Sequence, residues 1–177
     1  MAVRGFGGVM PLIHERAHVD ETALVVGDVE IGADSSIWPM SVVRGDVNYI
    51  RIGERTNIQD GCVLHVTHAG DQSPVPEGSP LIVGSDVTVG HRAVLHACTI
   101  EDRCLIGIGA IVMDNAIVRS GAMIGAGTLV TPNTDVEGGY LWLGTPARRV
   151  RPLSEKEKEY LEYAAAHYVR LKARHRA

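Results

Sequence analysis

A chain of 177 residues, 45% hydrophobic and only 5% aromatic, with twenty glycines and a formal net charge of −4, is long enough to bury one core and suits a fold with many tight corners. No basic stripe stands out before the C-terminal segment, and no apolar run approaches the ~20 residues that span a bilayer, so neither nucleic acid nor membrane is an expected partner. Without a charged-then-apolar leader, the expected compartment is the cytoplasm.

Along the chain, aliphatic residues recur in steps of six: Val25, Ile31, Ile37 and Val43, then Ile52, Ile58 and Leu64, then Val83, Val89 and Leu95. The series resumes at Ile100 and runs through Ile106, Val112, Val118, Ile124 and Val130. Insertions after Asp46 and Leu64 and a one-residue deletion before Ile100 separate the groups. Two positions before most of them lies a small residue: Ser35, Ser41, Thr56, Cys62, Ala93, Cys98, Cys104, Ala110, Ala116, Ala122 or Thr128. Period two within a hexad and period six between hexads is the pattern of a parallel β-helix. Three short strands make one triangular coil, the large residue filling its centre and the small one sitting near a corner. Six is not a multiple of 3.6, and glycines after aliphatic positions, as at Gly32 and Gly125, disfavour long strands, so helix and ordinary sheet are excluded.

Such hexads resemble those of the left-handed β-helix families. The resemblance, rather than the spacing, implies the handedness and a departure from the usual right-handed crossover. Cys62, Cys98 and Cys104 occupy the small inward position, where free cysteine acts as a small hydrophobe, so they are read as core and not as zinc ligands.

Gly138 to Pro152 reads as a loop and exit segment. Ser154 with Glu157 three residues on is a capping box, and Leu153 stands before it as a hydrophobic staple. Leu161, Ala164, Ala165, Tyr168 and Leu171 form an apolar stripe at helical spacing, which predicts a helix from about 154 to 174 lying along the β-helix or a neighbour. Its basic end, Arg170 to Arg176, is expected to be a solvated face complementing the helix dipole. The predicted organisation is all-β, a left-handed parallel β-helix over residues 1–153 with a C-terminal α-helix over 154–177.

Counting hexads in threes stacks Val43, Leu64 and Leu95 on one face, so Arg44, His65 and His96 point outward in one column. Neighbouring strands lie about 4.8 Å apart, close enough for two imidazoles to share an ion. His91 follows Val89-Gly90 on the preceding face, near a corner, and points away from that column. It is either an exposed loop histidine or a third ligand offered to a second subunit, and a triangular prism suits a threefold assembly with three equivalent sites.

Arg44-Gly45-Asp46, Asn57-Ile58-Gln59-Asp60, His65 after Val63-Leu64, and Gly90-His91 to Leu95-His96 together resemble the motif set of the γ-class carbonic anhydrases and their short bacterial homologues. The likeness covers roughly residues 10 to 175. It implies a homotrimer with zinc, or alternatively iron or cobalt, at each subunit interface, held by His65 and His96 of one chain and His91 of the next. It further implies a salt bridge of Arg44 with Asp46 across the interface, and Gln59, Asn57 and Tyr168 near the reacting groups.

Three neutral imidazoles leave such a metal its positive charge and an open position, so a bound water can reach a pKa near ~7 and attack carbon dioxide as hydroxide, giving bicarbonate. The chain departs from the archetype at Val47, where a glutamate follows Arg-Gly-Asp, and in the stretch Ala69 to Pro80, which offers only Asp71 and Glu77. His68, three residues after His65, is a candidate proton relay. Rival readings are a hexapeptide acyltransferase or acyl-CoA thioesterase, and a metal-stabilised structural trimer without turnover. Gly144-Thr145-Pro146-Ala147 occurs in both enzyme groups. Three ligand-compatible histidines favour the metal reading, because a general base needs one.

Overall fold

A computed structural model describes residues 2–73 and 75–175. The chain winds into the expected left-handed parallel β-helix with one C-terminal helix. Each of the three prism faces is a ladder of short parallel strands. On the first, Leu24, Val42, Val63, Val94, Ile111 and Leu129 stack in register from coil to coil. On the second the corresponding column is Glu30, Arg51, Ile82, Thr99, Ile117 and Asp135. On the third it runs His18, Ser36, Asn57, Thr88, Leu105, Met123 and Leu141.

The first two faces merge into one 12-stranded sheet, because strands Leu24–Ile31 and Val42–Ile52 run round a corner without a break. The insertion after Asp46 lies inside the second of these strands, between the pairs Gly27–Gly45 and Val29–Ile50. The third face is an 8-stranded sheet, closed by the antiparallel pair Tyr140–Leu143 and Arg148–Pro152.

Every aliphatic repeat position is buried, from Val25 and Val43 at 0% exposed to Ile52 at 4%. So is every small residue paired with them, and the repeat continues one step further, to buried Val136. The three cysteines are free and buried in this core. Burial pushes the Cys62 and Cys104 thiols up to about 12, which leaves them protonated and inert.

Corners demand left-handed backbone, and this appears three residues after most repeat aliphatics, at Asp34, Met40, Arg55, Gly61, Asp86, Arg92, Gly109, Asn115 and Asn133 among others. A residue with a Cβ resists that conformation by roughly 1–2 kcal/mol. The stacking offsets the cost, since most of these corner N–H groups donate to the corner carbonyl of a neighbouring coil, as Arg55 does to Ala33 at 2.9 Å and Asn115 to Ala97 at 2.8 Å, while Met40 donates to Thr22 Oγ1 at 3.1 Å. The one-residue deletion falls at the Ala97 corner, which keeps a positive φ of 47°.

The helix Glu155–His175 packs on the third face, against strands Ser36–Ile37, Asn57–Ile58 and Thr88–Val89. Its cap is the predicted one: Glu157 N–H donates to Ser154 Oγ at 3.3 Å, and Ser154 N–H to Glu157 Oε2 at 2.8 Å. Leu153, Leu161, Ala164 and Ala165 are buried, while Tyr168 and Leu171 are half-buried.

The basic end is not uniformly solvated, as it was expected to be. Lys172 is 5% exposed, and its Nζ donates to the Arg16 carbonyl at 2.5 Å and to Asp34 Oδ1 at 2.9 Å. A long alkyl stem can lie along the apolar stripe and still bring its charge to a partner on the β-helix. Arg176 lies outside the described residues.

The Lys172 ammonium holds the Asp34 carboxyl below its usual range, against the opposing effect of burial. A depressed carboxyl contributes stability above its unfolded pKa of ~3.9 and loses it as pH falls through the folded value. Lys172→Ala should therefore cost about 1.5–3 kcal/mol at neutral pH, the range for hydrogen bonds to charged groups. The gap to wild type should narrow in acid, leaving the part owed to the Arg16 carbonyl bond and the buried stem. Urea unfolding at several pH values checks this, and a gap independent of pH would contradict the assignment.

Candidate metal centre

His65 and His96 are opposite each other in the ladder of the first face, each two residues past an exposed or half-buried valine and one past a fully buried leucine. That alternation turns both imidazoles outward. His65 Nδ1 lies 3.3 Å from His96 Nε2, with the rings tilted by 53°.

The remaining nitrogen of each ring meets a carboxylate: His65 Nε2 lies 3.0 Å from Asp46 Oδ1, and His96 Nδ1 lies 2.9 Å from Asp114 Oδ2. Burial raises the Asp46 carboxyl, but hydrogen bonds from Arg44 and His65 outweigh it and the net shift is downward. Asp114 is lowered in the same way, with Thr67 and His96 as its donors. Both are anions at neutral pH. Burial lowers the pKa of His65, although Asp46 works against it, so this ring is neutral there.

An ionised carboxylate only accepts, so the nitrogen that faces it carries a proton, and in a metal-ligating imidazole the other nitrogen is the lone pair. The two lone pairs left over then point at one another. Uncompensated, that contact is repulsive. Two nitrogens on a tetrahedral zinc at ~2.0–2.1 Å stand ~3.3–3.4 Å apart, so the observed separation fits a shared cation. The residues present therefore fit a metal of the zinc type.

Arg44 pairs with Asp46 inside its own chain, Nη1 to Oδ2 at 2.5 Å. Its side chain remains 42% exposed, open to further partners.

His91 sits in the turn that follows the third-face strand Thr88–Val89, with its Nδ1 2.8 Å from Asp60 Oδ2, so that Nε2 is the nitrogen this carboxylate does not engage. It lines a cavity of about 420 Å³ between that face and the helix, together with Gln59 and Tyr168. Gln59 is 6% exposed and its Nε2 donates to Asn57 Oδ1 at 3.0 Å, which commits one of its two N–H groups, fixes the amide's orientation and leaves Oε1 to accept. Asn57, 1% exposed, donates in turn to Thr88 Oγ1 at 2.9 Å, so it positions Gln59 from behind. Tyr168 packs edge-on against Trp38, and burial pushes its phenol up with help from the Asp60 charge.

One chain does not bring these sets together. Among the described residues, no group of three or more His, Cys, Asp or Glu could hold a metal ion. The pair His65/His96 faces one way, and His91 with Gln59 and Tyr168 faces another. His68 is exposed on the loop that follows, as are Asp71 and Glu77, and Val47 is 46% exposed.

The sequence reading passed over the orienting roles of Asp60 and Asp114. A signal existed: each partner stands one coil away, Asp114 eighteen residues after His96 and Asp60 thirty-one before His91, across the coil that the insertion after Leu64 lengthens. Counting a full coil from every histidine marks such carboxylates as neighbours without showing which of them faces which ring nitrogen.

Residues 97–132 match the model of the family described as bacterial transferase hexapeptide (six repeats). Protein YrdA of Escherichia coli K12 is 50% identical over 170 residues, which are 96% of this chain and 91% of that protein. Gamma carbonic anhydrase 1, mitochondrial, of Arabidopsis thaliana is 42% identical over 167 residues, which are 94% of this chain and 60% of that protein. The crystal structure of a hexapeptide transferase family protein from Anaplasma phagocytophilum superposes with a TM-score of 0.88 at 39% identity, covering 96% of this chain and 95% of that one. The ladder, the outward histidine pair and these likenesses agree: the chain belongs to the hexapeptide-repeat family that includes the γ-class carbonic anhydrases and the short bacterial protein YrdA.

Proposed function

We propose that this protein is a metal-dependent carbonic anhydrase-like enzyme that reversibly hydrates carbon dioxide to bicarbonate as a homotrimer. The observation that carries this reading is the 3.3 Å approach of two ring nitrogens whose opposite nitrogens both face carboxylates. Two ligands make half of a tetrahedral set, and His91, with Nε2 left free by Asp60, is the complementary third from a neighbouring subunit. When bound, zinc supplies a hydroxide nucleophile at neutral pH; iron or cobalt are the alternatives.

The chain's own residues do the rest. Asp46, Asp60 and Asp114 fix ring orientation and raise ligand basicity. Gln59, held by Asn57, offers Oε1 as a neutral acceptor that orients the attacking group without adding charge. Tyr168 closes the helix side of the cavity. Val47 supplies no carboxylate for the departing proton, so export falls to solvent or to the exposed loop that carries His68, Asp71 and Glu77. No described helix is long and apolar enough to cross a membrane, and we place the activity in the cytoplasm.

The test is carbon dioxide hydration by protein reconstituted with zinc and, anaerobically, with iron, against a His65→Ala control. A metal-dependent rate above the control is expected. No excess rate with either metal, at full occupancy, would leave the ion a structural cross-link or point to acyl-thioester chemistry.

A further inference from the structure

Thr67 opens the insertion after Leu64. Its N–H and C=O both bond to Ser79, at 3.0 Å each, so the insertion starts and ends at one pinched base. Asn48 Nδ2 donates to the same carbonyl at 3.2 Å, tying the base to the strand that carries Asp46. Ser79 Oγ meets Asn115 Oδ1 at 2.5 Å, which pins the base to the corner beside Asp114.

The Thr67 hydroxyl donates to Asp114 Oδ1, and Asp114 Oδ2 accepts from His96 Nδ1 at 2.9 Å. A carboxylate holding one donor on each oxygen cannot rotate without breaking one of the two bonds. Thr67 is 5% exposed and the Asp114 side chain 19%, so water is a poor substitute for the hydroxyl.

We infer that Thr67 is a positioning residue for the metal site: through Asp114 it holds His96 with Nε2 as the free lone pair, and it couples the 68–78 insertion to metal occupancy. This rests on the metal reading proposed above. Coupling of this kind is reciprocal, so the metal should steady the insertion as much as the insertion's base steadies His96.

Thr67→Val removes the hydroxyl and keeps the shape, while Thr67→Ser keeps the hydroxyl. Zinc affinity by chelator competition should fall about 10–100-fold in Thr67→Val, the usual cost of losing a ligand's supporting partner, and recover in Thr67→Ser. In metal-free protein, ¹⁵N NMR should show His96 held as the Nδ1–H tautomer in wild type and as a mixture in Thr67→Val. Zinc should slow hydrogen exchange across 68–78 in wild type and not in Thr67→Val. An unchanged His96 tautomer in Thr67→Val overturns the inference. If wild type takes up no zinc yet the tautomer still depends on Thr67, the positioning role stands and the metal reading falls. Thr67→Ala carries the same test should valine crowd the loop base.

Discussion

His91→Ala is expected to abolish zinc binding and weaken self-association while leaving the β-helix folded. The two results separate because His91 contributes to each in a different way. Its side chain is 43% exposed and bonds to an Asp60 that is itself 47% exposed, so the fold barely depends on it. Substitutions at such positions stay within about 0.5 kcal/mol. The proposed centre depends on it heavily, because His65 and His96 alone leave a cation two protein donors short of a closed tetrahedron. Losing a ligand should exceed the roughly 10–100-fold cost of losing a ligand's partner. The measurement is metal content per chain alongside solution mass. Wild-type metal content in the variant would rule out a shared site.

Leu95→Ala should produce the largest loss of stability. Leu95 is fully buried, stacked between Leu64 and Val112 in the ladder, and precedes His96 directly. Removing a leucine side chain from a core that cannot collapse costs about 3–5 kcal/mol, out of the 5–15 kcal/mol typical of whole proteins. A coil in a stacked fold contacts only its neighbours, so the damage concentrates around the metal site and spares the ends. Urea unfolding should show a lower midpoint with zinc affinity falling in parallel. A loss below about 1 kcal/mol would mean that adjacent coils close over the gap.

The prediction at Leu95 rests on information that was legible in the chain. Each aliphatic in the six-residue series is buried, each small partner is buried, and the three cysteines lie with them, because one periodicity decides both inward direction and coil spacing. The column His65/His96 followed from counting, since strands in register must place successive coils' residues side by side. The helix cap was readable for a similar reason: Ser154 and Glu157 satisfy each other across one turn.

Other features were invisible to periodicity. The insertion after Asp46 became a bulge inside a continuous strand: Gly27 pairs with Gly45 and Val29 with Ile50, and residues 46–49 are accommodated between those two pairs. Lys172 reads as a surface cation, yet Asp34, 138 residues earlier, draws it inward. Asp114, Asp60 and Thr67 became orienting groups only through contacts between coils.

The sequence by itself determined the coil, the buried residues and the face on which each histidine stands, since local alternation sets direction without reference to distant partners. Only the tertiary structure decided which carboxylate each imidazole faces, and hence which nitrogen is free. That choice depends on side-chain contacts between residues 18 to 31 positions apart, brought within 3.0 Å by stacking, and no local pattern encodes it.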